Sequence, residues 1–154
     1  MRSTRIAAAA ALFAIGSAAV AHGDMGPADL SDPVSLRMHM MKNVGAAMGA
    51  LGGMAKGEIA YDAALAEQSF RVMNSAALGF AAQFPEGSAT HDSEASPKIW
   101  SDAAGFEAAA AKFLADTASA MAAKPADKDA FMPVFGQVAA NCKGCHQDYR
   151  VKKN

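Results

Sequence analysis

The chain has 154 residues but only two cysteines and six prolines, and aromatic side chains make up 7% of it. Two cysteines allow at most one disulfide, so a small scaffold stapled by several bridges is excluded. Strand-like alternation of apolar and polar residues is absent and β-branched residues are few, which argues against a sheet. No second apolar run of about 18 or more residues follows the short one at the N-terminus, so no membrane span is expected. Neither sign of charge dominates: 14 Lys and Arg stand against 15 Asp and Glu. There is no broad basic stripe, so nucleic acid is not an expected partner. Lys152 and Lys153 form only a short basic tail.

What is abundant is alanine, the strongest helix former, together with ten methionines. The first residues read as a targeting segment. Arg2 and Arg5 supply a positive n-region, Ile6 to Ile15 an apolar h-region, and Ala19-Val20-Ala21 an A-x-A cleavage site. Residues 1–21 are therefore expected to be a signal peptide cleaved after Ala21, and the apolar run is too short to span a membrane. Residues 22–154 are expected to form one domain, exported to a bacterial periplasm. Both leader arginines leave with the peptide while all 15 acidic residues stay, so the mature chain is mildly acidic.

Both cysteines fall in one stretch, Cys142-Lys143-Gly144-Cys145-His146. A disulfide across so short a loop would constrain little of the unfolded chain, and it would leave the adjacent histidine unexplained. A thiol–disulfide enzyme places C-x-x-C in a βαβ pattern, and no such pattern is present. A zinc site needs at least one more well-spaced ligand, whereas His22, His39 and His91 are scattered. C-x-x-C-H is the attachment signature of c-type haem. Two thiols three residues apart lie on one side of a helical turn and can bond the two vinyl groups of one haem. His146 is then placed to bind iron from the proximal side. The expected cofactor is one haem c, covalent through Cys142 and Cys145.

The apolar spacing predicts four helices. The first opens at Asp32-Pro33, a cap followed by proline at the first helical position, and runs to Lys56-Gly57. Its stripe is Leu36, Met40, Val44, Met48 or Ala47, Leu51 and Met54. The second runs from about Asp62 to Phe84, with Leu65, Val72, Met73, Ala76, Phe80 and Phe84 as core candidates, and Pro85 ends it. Residues 85–99 have the composition of a polar loop. The third helix starts near Ser101 or Asp102, ends near Lys124-Pro125, and carries Phe106, Phe113, Leu114 and Met121. The fourth starts near Asp127 and carries the C-x-x-C-H motif towards its end. Pro133 inside it should kink the helix or delay its start. Short turns within each pair and a longer middle connection give an all-α, antiparallel four-helix bundle, with the haem near the C-terminal end of the fourth helix.

The residue on the far side of the iron decides the function. The first helix offers Arg37-Met38-His39-Met40-Met41-Lys42. Arg37 and Met41 are four apart and share a face, whereas His39 lies about 200° from Met41 and points away. On spacing alone a methionine such as Met41 is more often core than ligand, and Arg37 more often a solvated surface charge. Trp100 and Phe106 read as packing residues near the haem or the loop mouth, and His39 and His91 as exposed.

With a C-terminal C-x-x-C-H on a four-helix chain, this sequence resembles the class II cytochromes c, the cytochrome c′ family. The resemblance covers essentially all of residues 22–154. It is carried by Arg37, Met41 and Lys42, by Ile99-Trp100-Ser101 and Phe106, by Phe135-Gly136, and by Cys142 to His146 with Tyr149-Arg150. Members differ at the position four after the helix-1 arginine: a bulky non-ligating residue leaves the iron five-coordinate, and a methionine binds it, as in the low-spin cytochrome c-556 type. The resemblance implies that Met41 is the second iron ligand with His146, that Arg37 pairs with a haem propionate, and that Arg150 lies close to the proximal histidine. It implies an electron carrier serving unidentified redox proteins rather than an enzyme. The alternative is a five-coordinate binder of nitric oxide or carbon monoxide. A peroxidase would ask for a distal acid–base residue, and His39 faces the wrong way. Members of the family often dimerise through the first two helices. The small residues Gly45, Ala46, Gly49, Gly52 and Gly53 would permit that approach, or would make room for the haem or a neighbouring helix.

Overall fold

Four aspartates begin the four long helices, and each does so by accepting backbone hydrogen bonds that the first turn cannot satisfy internally. In the computed structural model, which describes residues 29–90 and 93–151, Asp32 caps α1 (Pro33–Lys56) through Val34 and Ser35. Asp62 caps α2 (Ala63–Phe80) through Leu65. A four-residue helix, α3 (Lys98–Ser101), follows the long connection. Asp102 then caps α4 (Ala103–Ala123) through Gly105, and Asp127 caps α5 (Lys128–Tyr149) through Ala130. Each such cap contributes about 1 kcal/mol. The expected leader, its cleavage site after Ala21, and His91 lie outside the described residues.

The ends are as local. Gly57 closes α1 in the left-handed region at φ 81°, its N–H donating back to Gly53 and Met54, a conformation that favours glycine. Pro125 follows α4 and is buried, and the Tyr61 hydroxyl donates to its carbonyl at 2.5 Å. That bond ties together the two short turns at one end of the molecule. Among the described residues there is no strand beyond one isolated antiparallel bridge, Ala95 with Arg150, and no helix is long and apolar enough to cross a membrane.

The helices pack α1 on α2, α2 on α4 and α4 on α5, while α1 meets α5 more sparsely. The result is the four-helix bundle, with α3 a short addition on the long connection. The main core comes from Val44, Ala47, Leu51 and Met54 of α1, Ala66, Phe70, Met73 and Ala76 of α2, Ala120 of α4, and Phe131 and Val138 of α5. Phe131 is fully buried and ringed by Tyr61, Phe70 and Phe135 at centroid distances of 5.3, 6.3 and 5.5 Å. A second, smaller core of Ile99, Phe106 and Tyr149 lies at the C-terminal end of α5, joined by Phe80, Phe84 and Trp100.

Several expectations are corrected. The α-helix of α2 stops at Phe80, and a 3₁₀ turn, Ala81–Gln83, carries the chain to Phe84. Leu65 is 38% exposed and no part of the core. The buried stripe of α2 runs Ala66, Ser69, Phe70, Met73, Ala76 and Ala77, which keeps the expected Met73 and Ala76 and puts Ala66 in the place expected of Leu65. Pro133 neither delays nor divides α5: the helix starts at Lys128 and is continuous through it. The proline ring lies on the exposed side. Gly53 belongs to no open small-residue surface, because the Ile59 side chain packs onto it so closely that a Cβ would lie 2.7 Å from its terminal carbon.

Polar side chains link α2, α4 and α5 alongside the main core. Asn74 of α2 donates to Thr117 Oγ1 and to the Leu114 carbonyl of α4 at 3.0 and 3.1 Å. Next to Thr117, the nearly buried Asp116 accepts from Gln137 and Asn141 of α5 at 2.8 and 2.7 Å, and from Lys112. The Lys112 ammonium, then the two amides, hold the Asp116 carboxyl at about 2 against burial, which raises it. A carboxyl lowered on folding contributes stability that is full above its unfolded value and is lost as pH falls through the folded one. Asp116→Asn is therefore expected to cost about 1–2 kcal/mol at pH 7. Denaturant titrations at a series of pH values should show the gap to wild type narrowing between pH 4 and pH 2.

Candidate functional site

The last two turns of α5 carry Cys142, Cys145 and His146. Both cysteines are free and half-buried, and Cys145 packs against the Ile99–Phe106–Tyr149 cluster. Burial pushes both thiols up, with Cys142 adding to the effect at Cys145, so both are neutral at pH 7. His146 lies four residues after Cys142 on the same side of the helix, at the surface but against enough of the fold to be partly desolvated. That desolvation, and then the nearby Arg150, lower its pKa and favour the neutral imidazole with a free lone pair.

Two polar contacts set how α5 sits against α4. Immediately before the motif, Asn141 donates to Asp116 at 2.7 Å. Three residues after His146, the Tyr149 hydroxyl donates to Asp102, the α4 cap, at 2.9 Å. Gly105 makes the second contact possible: a Cβ there would lie 2.5 Å from both the Tyr149 oxygen and Asp102 Oδ2. The motif is thus bracketed by side-chain anchors on one neighbouring helix, and a helix gripped on both sides of a turn presents that turn in one orientation.

On α1, Arg37 is 4% exposed and is no surface charge. Its guanidinium donates to the Gln83 carbonyl at 3.1 Å, to Ser88 Oγ at 2.9 Å, to the Ser88 carbonyl at 2.6 Å and to Ser93 Oγ at 2.5 Å. It also lies 4.6 Å from the centre of the Phe84 ring. Four neutral oxygens solvate this cation, and no carboxylate ion-pairs with it among the described residues. Desolvation lowers its pKa, opposed by Asp32. A guanidinium remains charged under such a shift, so the site holds a buried positive charge solvated mainly by neutral oxygens.

Arg150 is half exposed and pairs with Glu94 through Nε and Nη2 at 2.6 and 2.5 Å. An exposed pair contributes about 1 kcal/mol at most. Backbone bonds reinforce it: Ser96 N–H donates to Tyr149 at 3.0 Å and Val151 N–H to Glu94 at 2.9 Å. The connection before α3 is therefore fastened to the end of α5 as well as to Arg37. Sequence reading treated it as a polar loop and missed Ser88, Ser93 and Glu94. Ser88 and Ser93 are each 8% exposed, and no local pattern distinguishes a buried loop serine from a solvated one.

Met41 is half-buried and packs against the main core beside Met40 and Met48. It occupies the turn after Arg37 on α1. His39 is half-buried rather than exposed, its Nδ1 2.9 Å from the Ser35 carbonyl. Trp100 donates its indole N–H to the Phe84 carbonyl at 3.0 Å, and Phe106 stands edge-on to Phe84 and Tyr149 at 4.9 and 5.3 Å. Both serve the second core, beside Cys145.

These residues fit a haem. Among the described residues no three His, Cys, Asp or Glu side chains are arranged to hold a bare metal ion. Two neutral thiols on one turn with an imidazole beside them suit a group that brings its own metal and carbons for thiol addition. The buried Arg37 charge, without a direct ion-pair partner among the described residues, suits an acidic substituent.

Comparison with known proteins agrees with this chemistry. A family model described as Cytochrome C′ matches residues 32–150. A protein named cytochrome c-556 from Agrobacterium tumefaciens (strain apple 185) is 41% identical over 118 residues, which cover 77% of this chain and 94% of that one. Among solved structures, cytochrome c′ from Rhodopseudomonas palustris superposes with a TM-score of 0.76 at 34% identity, over 80% of this chain and 98% of that one. A nitric oxide complex of a mutant cytochrome c′ from Alcaligenes xylosoxidans gives a TM-score of 0.70 at 32% identity, over 79% and 96%. With the attachment motif on the last long helix of a four-helix bundle, and with relatives of this similarity along nearly their whole length, the chain belongs to the cytochrome c′ family of class II cytochromes c, whose members bind haem c.

Proposed function

We propose that this protein is an exported electron carrier with one haem c, attached through Cys142 and Cys145, with His146 and Met41 as the two iron ligands. The observation that carries the reading is Met41 itself: a methionine one turn after the buried Arg37, half-buried on α1 where a solvated position would have left it free. The similarity to a protein named cytochrome c-556 supports it. Bound haem supplies a one-electron iron couple, and His/Met ligation raises its potential.

The chain's own residues do the rest. Cys142 and Cys145 hold the group on α5, and Asn141 and Tyr149 hold that turn on α4. His146 offers a neutral imidazole, and Arg37 offers its buried charge to a propionate. Arg150, beside His146, is steadied by Glu94. Both ligands remain bound in either oxidation state on this reading, so little has to reorganise when an electron moves. Residues 1–21 direct the chain to the periplasm and are removed after Ala21. Association as a homodimer would use α1 and α2, where Gly45 and Gly49 present open surface.

The second reading, a five-coordinate gas binder, draws on the relative solved as a nitric oxide complex and on the packing of Met41 within the core. Absorption spectra separate the two. A carrier gives low-spin spectra in both oxidation states, binds carbon monoxide slowly or not at all when reduced, and becomes high-spin in Met41→Ala. A wild-type protein that is already high-spin and binds carbon monoxide rapidly would establish the gas binder instead. Arg37→Gln removes a positive charge that favours the reduced iron, so redox titration should show a lower reduction potential than wild type.

A further inference from the structure

The two proposed iron ligands stand on α1 and α5, which pack together more sparsely than the other neighbouring pairs of long helices. Each is one helical turn from an arginine: Met41 follows Arg37 by four residues, and His146 precedes Arg150 by four. The two arginines are joined through consecutive residues of the connection before α3. Ser93 Oγ accepts from Arg37 at 2.5 Å, and the Glu94 carboxylate accepts from Arg150 at 2.6 Å. Ser93 Oγ also accepts from the Ala95 N–H at 3.1 Å. Beyond Glu94, the bonds from Val151 to Glu94 and from Ser96 to Tyr149 lay the connection along the end of α5. Ser88 fastens its near end to Arg37 through both hydroxyl and carbonyl.

We propose that the segment Ser93–Ser96 is a brace that sets the separation of α1 and α5, and that Ser93 and Glu94 are positioning residues which hold Met41 within reach of the iron. This rests on the His146/Met41 reading and adds to it the part that keeps the site closed. The tight edges of the bundle are spaced by side-chain packing. The α1–α5 edge has less of it, so its spacing depends on what spans it. The buried end of the brace cannot slip without stripping acceptors from a desolvated guanidinium. The exposed end is held by backbone bonds in addition to the ion pair.

The test uses the haem-loaded protein in three forms: wild type, Ser93→Ala with Glu94→Ala, and the conservative Ser93→Thr with Glu94→Asp. Stopped-flow mixing of the reduced protein with carbon monoxide reads how often Met41 leaves, and the oxidised spectrum reads the low-spin fraction. The alanine double variant should bind carbon monoxide about tenfold faster and show a high-spin component. The conservative pair should return both values towards wild type. Introduced into Met41→Ala, the alanine pair should leave the binding rate unchanged, because there is no ligand left to release. Circular dichroism and the melting temperature identify a merely unfolded variant, and Ser93→Ala alone then provides the milder perturbation. A low-spin wild type whose variants all bind at the wild-type rate overturns the brace and leaves the ligand reading intact. A high-spin wild type overturns the ligand reading, and the brace with it.

Discussion

A guanidinium can be buried only where acceptors surround it, and the position of Arg37 imposes that requirement on much of this molecule. Satisfying it takes a carbonyl from the end of the 3₁₀ turn, a hydroxyl and a carbonyl from Ser88, and the hydroxyl of Ser93. The long connection is folded back over α1 to deliver them. Phe84 lies under the charge and also begins the aromatic series that continues through Phe106 to Tyr149. Tyr149 in turn seats α5 on Asp102. One buried cation on α1 is thereby connected, contact by contact, to the turn that follows the attachment motif.

The main core plays a different part. Its residues repeat at helical spacing on α1, α2 and α5, and their burial is non-directional. It explains why the helices associate but leaves the rotation of α5 underdetermined. The polar contacts supply that information. Asp116 engages Gln137 and Asn141 on successive turns, and a carboxylate oxygen accepts only from donors in the right place. Gly105 adds a steric condition, admitting the Tyr149 hydroxyl where any side chain would exclude it.

Much of this was legible in the sequence, and the portion that was not has a common cause. The four long helices, the Asp32 cap, the glycine stop at Gly57 and the attachment motif are local signals, decided within a few residues, whereas the four-residue α3 falls where a polar loop gives way to the third expected helix. The stripe of α1 was read correctly at Val44, Leu51 and Met54 because large apolar residues mark it. That of α2 is legible at Met73 and Ala76 but misplaced at Leu65, because the neighbouring Ala66 and Ser69 hold buried positions with little hydrophobic signal, and the fully buried Phe70 is missed. Pro133 suggests a kinked or delayed helix, yet a proline on the exposed side can be carried by a continuous helix whose core anchors, Phe131 and Val138, lie on either side of it. The connection was read as solvated from its composition, because what makes Ser88 and Ser93 buried is an arginine 51 and 56 residues earlier. No window along the chain contains both partners.

The architecture also separates what is common to the family from what is particular to this chain. A four-helix bundle with C-x-x-C-H on its last helix suits haem c, and a fold by itself does not choose among functions. On the proposed ligation the choice lies in position 41 and in what holds that position against α5. Position 41 is a single side chain and can change without disturbing the core, since Met40 and Met48 also pack there. The span between α1 and α5 cannot change so freely. It runs through Ser93 and Glu94 to two arginines placed one turn from the two proposed ligands, so on the proposed reading an alteration at either end reaches the other. On that reading a closed iron site in this bundle requires two things: the methionine, and a connection short and fixed enough to keep it in place.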